Sequence, residues 1–330
     1  MSEVLKIENL HVQYNTDEAI VHAVNGVNLT LHKGETMGLV GETGAGKTTT
    51  ALSILNILPE RIGKITEGSI RFKDIDIRKA TKKKLLSLRG KGISMIFQDP
   101  MTSLNPIITV GEQILEMLTL HFPEISNDEK IRRVNEIFEL VGIPSDRCNE
   151  YPFQFSGGMK QRIDIAMALV CQPELLIADE PTTALDVTIQ AQILELMKHL
   201  KKEFETSMIM ITHDLGIVAE ICNSVSVMYA GEIVEYGTVE DVYEQIDSHP
   251  YTKGLFNCIP KFNSTTKRLC PIEGYPVNPT CLPKGCKFHE RCPYAEDRCW
   301  EQEPPVYTKG THSIKCFRFE NKEKEGWNHE

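Results

Sequence analysis

Apolar and polar positions alternate along the start of the chain. Val27, Leu29 and Leu31 fall on one side of an extended segment, and Gly26 and Lys33-Gly34 mark turns, so residues 4–31 read as strands. Met37-Gly38-Leu39-Val40 is an unbroken apolar run, as in a strand covered on both faces. A glycine-rich loop follows, then a helical pattern from about Lys47 to Leu58, stopped by Pro59. Residues 66–98 return to short strands around a basic helix and end in the strand Ile93–Phe97. Residues 105–170 read as mostly helical. There Met159, Ile163, Met167 and Val170 recur at helical steps and predict one buried face. Leu175–Ala178 predicts a buried strand, and a helix follows over 187–204 with Ile193, Met197, Leu200 and Phe204 on one side. Ser207–Thr212 is the next strand, and Val225–Tyr229 and Glu232–Tyr236 form a hairpin around Ala230-Gly231. Strands alternating with helices predict an α/β fold.

Near residue 245 this periodicity fades, and Pro, Cys and Gly take over. The pattern predicts a large domain over 1–245 and a small, loop-rich, Cys-rich module over 246–330, with a frayed tail from Glu320. No internal repeat or low-complexity tract is visible. At 41% apolar and 25% charged residues the composition is that of an ordinary globular chain. A formal charge of −10 argues against a nucleic-acid partner held by a general basic field, and the basic cluster Lys79–Lys91 reads as a solvated face. No signal peptide is recognisable, and no stretch approaches the ~18 apolar residues of a membrane span. The expected place is the cytosol, or the membrane surface through a partner.

Gly41-Glu42-Thr43-Gly44-Ala45-Gly46-Lys47-Thr48 fits the phosphate-loop pattern, between a predicted strand and a predicted helix. The glycines let backbone N–H groups close around phosphate oxygens, and the helix adds its positive end. Lys47 supplies a full charge at the β and γ phosphates, Thr48 offers a hydroxyl to Mg²⁺, and Thr49 completes the nucleotide-binding segment. Kinases, GTPases and motor ATPases use the same loop, so the rest of the chain must discriminate.

Leu175–Ala178 delivers Asp179 and Glu180 to the end of a buried strand. Asp179 is placed to hold Mg²⁺, directly or through water, and Glu180 to act as the general base that orients the attacking water. The strand Ser207–Thr212 likewise delivers His213, which can sense the γ-phosphate. Upstream, Ser156 can cap a helix opening at Gly157-Gly158, with Met159 beside them, which makes a second anion-binding helix end. Two such devices in one chain imply two chains docked head to tail with ATP between them.

With these motifs in order, residues 4 to about 240 resemble the ABC ATPase family. The resemblance implies a P-loop cassette with a mixed sheet core, an antiparallel β subdomain and a helical signature subdomain. It assigns Tyr14 to adenine stacking, Gly41–Thr48 to the Walker A loop, Gln98 to the Q-loop contact with Mg²⁺ and the permease, and Ser156–Gln161 to the signature. It assigns Asp179 and Glu180 to Walker B, Ala184-Leu185-Asp186 to the D-loop and His213 to the switch. The signature departs from the usual Leu-Ser-Gly-Gly-Gln: this chain has Phe155-Ser156-Gly157-Gly158-Met159.

The strings Phe97-Gln98-Asp99-Pro100-Met101-Thr102-Ser103-Leu104-Asn105-Pro106 and His249-Pro250-Tyr251-Thr252, followed by Cys258-Ile259-Pro260, are similar to the ATPases of dipeptide and oligopeptide importers, a branch that includes nickel importers. That likeness implies MgATP hydrolysis, two permease subunits, a sister ATPase in a heterodimer or homodimer, an extracytoplasmic binding protein, and a peripheral place on the cytoplasmic face of the membrane. A soluble ABC ATPase acting on ribosomes or DNA is the rival reading; such proteins usually carry two cassettes or a coiled coil.

Three of the ten cysteines, Cys148, Cys171 and Cys222, are scattered; the rest lie between Cys258 and Cys316. In a reducing compartment that density points to metal. Cys286-x5-Cys292-x6-Cys299-x16-Cys316 lacks the paired spacing usual for zinc and suits the four corners of a [4Fe–4S] cluster, with zinc and no metal as the alternatives. Cys258, Cys270, Cys281 and His289 are reserve ligands. The string Gly285–Pro293 also resembles the C-terminal extension of peptide-importer ATPases, some of which hold an iron–sulfur cluster.

Overall fold

The computed structural model describes residues 2–99, 103–183, 185–244, 246–259, 271–322 and 325–329. Cys270, Ala184, Pro260 and the segment Pro100-Met101-Thr102, all part of the sequence reading, lie outside the described residues. The strands in chain order are β1 (Glu3–Asn15), β2 (Ile20–His32), β3 (Thr36–Val40), β4 (Gly63–Phe72), β5 (Ile75–Asp76), β6 (Ile93–Ile96), β7 (Leu175–Asp179), β8 (Ser207–Thr212), β9 (Ser224–Tyr229), β10 (Glu232–Thr238), β11 (Val306–Lys309), β12 (His312–Lys315) and β13 (Asn328–His329). The chain divides into two compact units, one of Met1–Val4, Leu31–Thr36 and Ile75–Ile211, the other of Leu5–Thr30, Met37–Asp74 and Thr212–Glu330.

In the first unit β6, β7 and β8 run parallel, with Ile93 beside Leu175 and Leu175 beside Ser207. Every residue of the three strands is buried, which is why they read as apolar runs rather than alternations. The helices are stopped and started by local chemistry. Thr109 and Glu112 form a capping box on Val110–His121, Ser126 caps Asn127–Leu140, Ser156 caps Gly157–Leu169 and Asp186 caps Val187–Phe204.

In the second unit β1 pairs antiparallel with β4, from Leu5 opposite Phe72 to Tyr14 opposite Gly63, and β2 flanks β1. The other sheet of this unit is mixed. β3 runs parallel to β9, and β9, β10, β12, β11 and β13 continue in antiparallel order. The hairpin at Ala230-Gly231 is therefore as expected, and the strands after residue 300 extend its sheet.

Several expectations are corrected. The helix after the phosphate loop is Lys47–Ile54, shorter than the pattern suggests: Leu55 is its cap and Asn56 turns left-handed at φ 52°. β6 stops at Ile96, and Phe97 stands outside it, 44% exposed. On Gly157–Leu169 the buried face is wider than the expected stripe and shifted from it. Ile163, Ile165, Ala166, Ala168 and Leu169 are buried while Met159 and Met167 are half-buried. The tail is docked rather than frayed, because Trp327 is 1% exposed, packs at a tilt against Phe319 with ring centroids 4.7 Å apart and donates to Asp247 at 3.4 Å.

The same helix buries Asp164, whose Oδ2 has no hydrogen-bond partner among the described residues. Burial pushes its pKa up from 3.8 to about 7, against a smaller lowering from a Ser103 hydrogen bond. Between those pH values the folded chain keeps a proton that the unfolded chain has released. Its stabilising contribution is whole below the unfolded value and is lost as pH rises through about 7. The melting temperature should fall between about pH 4 and pH 7 through this group, and Asp164→Asn should flatten that slope in a calorimetric pH series.

Candidate functional site

The phosphate loop belongs to the second unit. β3 delivers it: Val40 lies beside Val227 of β9, and the chain then turns into Gly41. Gly46, the cap of the following helix, has φ 103°, and a Cβ there would come within 2.4 Å of the Ala23 carbonyl oxygen. No other residue fits. Lys47 is buried, and its ammonium spans the loop, donating to Gly41 O at 2.6 Å and Glu42 O at 3.1 Å. Thr43, Gly44 and Thr48 are exposed, so the loop opens to solvent on that side, while Ala45 is buried and its carbonyl accepts from Gly231 N at 2.9 Å. Tyr14 is half-buried beside the loop and donates its hydroxyl to Thr49 Oγ1 at 3.2 Å. His213, exposed just past β8, is followed by Asp214, which caps the next helix by accepting from Gly216 N and Ile217 N.

The carboxylates belong to the first unit. Asp179 ends β7 and is buried. Glu180 is half-buried and takes a left-handed backbone, φ 48°, which is costly for a residue with a Cβ. That posture is held from both sides. Its N–H donates to Ile211 O at 2.8 Å, and its Oε2 accepts from Thr183 Oγ1 at 2.9 Å and from Gln98 Nε2 at 3.2 Å. The structure thus brings together Gln98 and Glu180, far apart in sequence. Asp186 is exposed and spends its carboxylate on capping, accepting from Ile189 N at 2.9 Å.

Ser156 Oγ accepts from Met159 N at 3.4 Å, as a capping residue should. The two signature glycines have different environments. A Cβ on Gly158 would lie 2.7 Å from Ile189 Cγ2, so this glycine is required by packing against the helix Val187–Phe204. A Cβ on Gly157 would meet nothing within 4 Å, which leaves the helix end open. The unusual Phe155 and Met159 are served by one side chain. The Arg147 guanidinium sits 4.4 Å from the Phe155 ring centroid, and its Nη1 lies 3.6 Å from Met159 Sδ.

Cys286, Cys292, Cys299 and Cys316 line one small enclosed cavity in the second unit, together with His249 and His289. Cys286 N donates to Cys299 O at 2.9 Å, tying two of the cysteine loops together. Burial, aided by the neighbouring thiols, pushes Cys286 up to about 12 and Cys316 up to about 11. As free thiols they stay protonated. His289 Nδ1 donates to Cys286 O at 2.6 Å, which leaves only Nε2 for any other ligand. Cys281 is exposed, Cys258 is half-buried, and neither lines the cavity. Among the described residues no group of three or more His, Cys, Asp or Glu side chains is placed to hold a metal ion.

The sequence reading missed two residues at the phosphate loop, Tyr251 and Arg291, both bonded to Glu42. Each lies inside a string that carried the family likeness, but nothing local in those strings signals a partner so far along the chain. No helix among the described residues is long and apolar enough to cross a membrane.

A family model for ABC transporters matches residues 24–183, and one for the C-terminal region of oligopeptide/dipeptide transporters matches residues 234–299. The dipeptide transport ATP-binding protein DppD of Bacillus subtilis is 48% identical over 320 residues, 96% of this chain and 95% of that protein. The oligopeptide transport ATP-binding protein OppD of Salmonella typhimurium is 49% identical over 320 residues, 96% of this chain and 93% of that protein. Among solved structures, the ATP-binding cassette MJ0796, a dimer in a post-hydrolysis state bound to ADP and Pi, matches with a TM-score of 0.64 at 28% identity, covering 71% of this chain and 98% of that one. The chain belongs to the ATP-binding cassette proteins of the ABC transporter family, in the group of dipeptide and oligopeptide transport ATP-binding proteins.

Proposed function

We propose that this chain hydrolyses MgATP to drive an importer of dipeptides or oligopeptides, docked on two permease subunits at the cytoplasmic face of the membrane and fed by an extracytoplasmic binding protein. The cargo rests on the names of the relatives and on the match over residues 234–299. The hydrolytic reading is carried by Glu180, which hydrogen bonds fix in a strained backbone with its carboxylate against Gln98.

In this reading Lys47 and the loop N–H groups hold the β and γ phosphates, and Tyr14 stacks on the adenine. Thr48, Gln98 and Asp179 would hold the Mg²⁺ of MgATP, whose charge would offset that of the phosphates. Glu180 takes a proton from water as its oxygen bonds the γ-phosphorus, and the bond from that phosphorus to the β–γ bridging oxygen breaks. His213 senses the γ-phosphate. Ser156, Gly157, Gly158 and Met159 contact the nucleotide of a partner cassette, and Asp186 lies at the seam with it. The dimeric state of MJ0796 supports that pairing; a sister ATPase or a second copy would serve. Because Gln98 bonds the base, a permease pressing on the loop at 97–99 would reach the catalytic carboxylate directly.

Residues 1–245 act as the cassette in this proposal, and 246–330 as its peptide-importer extension. The support for a [4Fe–4S] cluster is that the four cysteines line one cavity; among the described residues no group of three or more His, Cys, Asp or Glu is placed to hold a metal ion. When bound, the cluster would cross-link the loops that carry Cys286, Cys292, Cys299 and Cys316, a structural service.

Three outcomes test these assignments. In the assembled transporter, Glu180→Gln should cut phosphate release by about 100-fold or more while MgATP still binds, and uptake of labelled dipeptide should stop. Undiminished turnover would remove Glu180 as the base. Gly157→Ala should melt within about 0.5 kcal/mol of the parent yet lose ATPase activity, whereas Gly158→Ala should lose both stability and activity. Anaerobically purified chain should be brown, absorb broadly at about 400 nm and contain iron and sulfide; colourless protein with one zinc per chain would refute the cluster.

A further inference from the structure

An acidic residue inside a phosphate loop is an oddity of charge. Glu42 places a carboxylate in a loop whose ligand is a polyanion, and like charges nearby oppose binding. The structure contains a remedy within the second unit. Arg291 grips that carboxylate with both ends of its fork, Nη1 at 2.7 Å from Oε2 and Nη2 at 3.0 Å from Oε1. The Arg291 side chain is 4% exposed, and its Nε donates to Glu273 O at 3.1 Å. A guanidinium is a permanent cation, and this one also points its Nη1 at the Tyr229 hydroxyl, 3.5 Å away.

The backbone of Glu42 is held as well, its N–H donating to the Tyr251 hydroxyl at 2.8 Å. Tyr251 is fully buried and packs at a tilt against Tyr229 and edge-to-face against Phe288, with ring centroids 4.7 Å and 5.4 Å away. Phe288 and Arg291 belong to the short loop between Cys286 and Cys292. One loop of the C-terminal region therefore reaches the second residue of the phosphate loop with a cation and, through an aromatic cluster, with a hydroxyl.

We propose that Arg291 is a positioning residue for MgATP: it neutralises Glu42 and pins it, so that the phosphate loop meets the nucleotide in a fixed, less anionic form. The proposal rests on reading 41–48 as the phosphate loop.

The test is equilibrium binding of a fluorescent ATP analogue with Mg²⁺ to the full-length chain. Arg291→Gln should weaken binding about tenfold, since it leaves Glu42 both free and uncompensated. Adding Glu42→Gln to it should recover affinity to within about threefold of the parent, because the repelling charge is then gone. A role of Arg291 in packing alone would not be relieved by a change at Glu42. Unchanged affinity in Arg291→Gln, or a double variant as weak as the single, overturns the proposal. Should Arg291→Gln fail to fold, Arg291→Lys decides instead. It keeps the charge but loses the fork, so about threefold weakening supports the clamp and unchanged affinity overturns it. Lys47→Ala separates the two readings: if it binds as tightly as the parent, the phosphate-loop assignment itself fails, whatever Arg291 does.

Discussion

The second unit depends on one close approach of backbone to backbone. The phosphate loop is wedged against the turn between β9 and β10. Gly231 N donates to Ala45 O at 2.9 Å, and a side chain on Gly41 would collide with Met228 O at 2.1 Å. Parallel pairing of β3 with β9 sets this up, since it carries Val40 alongside Val227 and leaves the next residues nowhere to go but around the turn. The loop's shape is thus imposed by its neighbours as much as by its glycines. The absence of a side chain at Gly41 and Gly46 is the condition under which the imposition is tolerable.

A second constraint governs the carboxylate end. A strand buried on both faces must emerge somewhere, and its first polar residues appear at that point. β7 emerges at Asp179, and Glu180 then takes the turn in a left-handed conformation that Thr183, Gln98 and Ile211 O hold in place. Strain of that kind persists only where surrounding bonds over-determine it. Here one of those bonds comes from Gln98, two residues beyond β6, the strand that pairs with β7. The loop after β6 is therefore tied to Glu180 by a side-chain hydrogen bond.

Much of this was legible in the sequence because it is local. Met37–Val40, Leu175–Ala178 and the helix over 187–204 are apolar patterns between breakers, and the strand-loop-helix order around Lys47 is itself the signal. Ser156 was legible as a cap because capping involves residues three apart. What was not legible is long-range or context-dependent. Asn56 ends its helix early through a left-handed turn that no pattern announces. Asp164 lies on a buried face despite its charge, because tertiary packing there outweighs the helical stripe. The bond between Glu42 and Arg291 joins residues 249 apart in a chain of 330, and neither residue alone signals the other.

The C-terminal strands show why residues after 245 cannot be passive. Glu235 of β10 is buried, and its carboxylate accepts from His249 N at 2.8 Å while facing His312 Nε2 of β12 at 2.9 Å. A buried carboxylate stripped of those partners would carry a desolvation cost of a few kcal/mol. β10 is thus stable in its native form only when the helix Pro250–Asn257 and the strand β12 are both in place. β10 in turn pairs with β9, and the turn that joins them is the wall against which the phosphate loop rests. Polar satisfaction in the extension and the geometry of the nucleotide loop are therefore one continuous chain of contacts, of which the Arg291 fork is the shortest route.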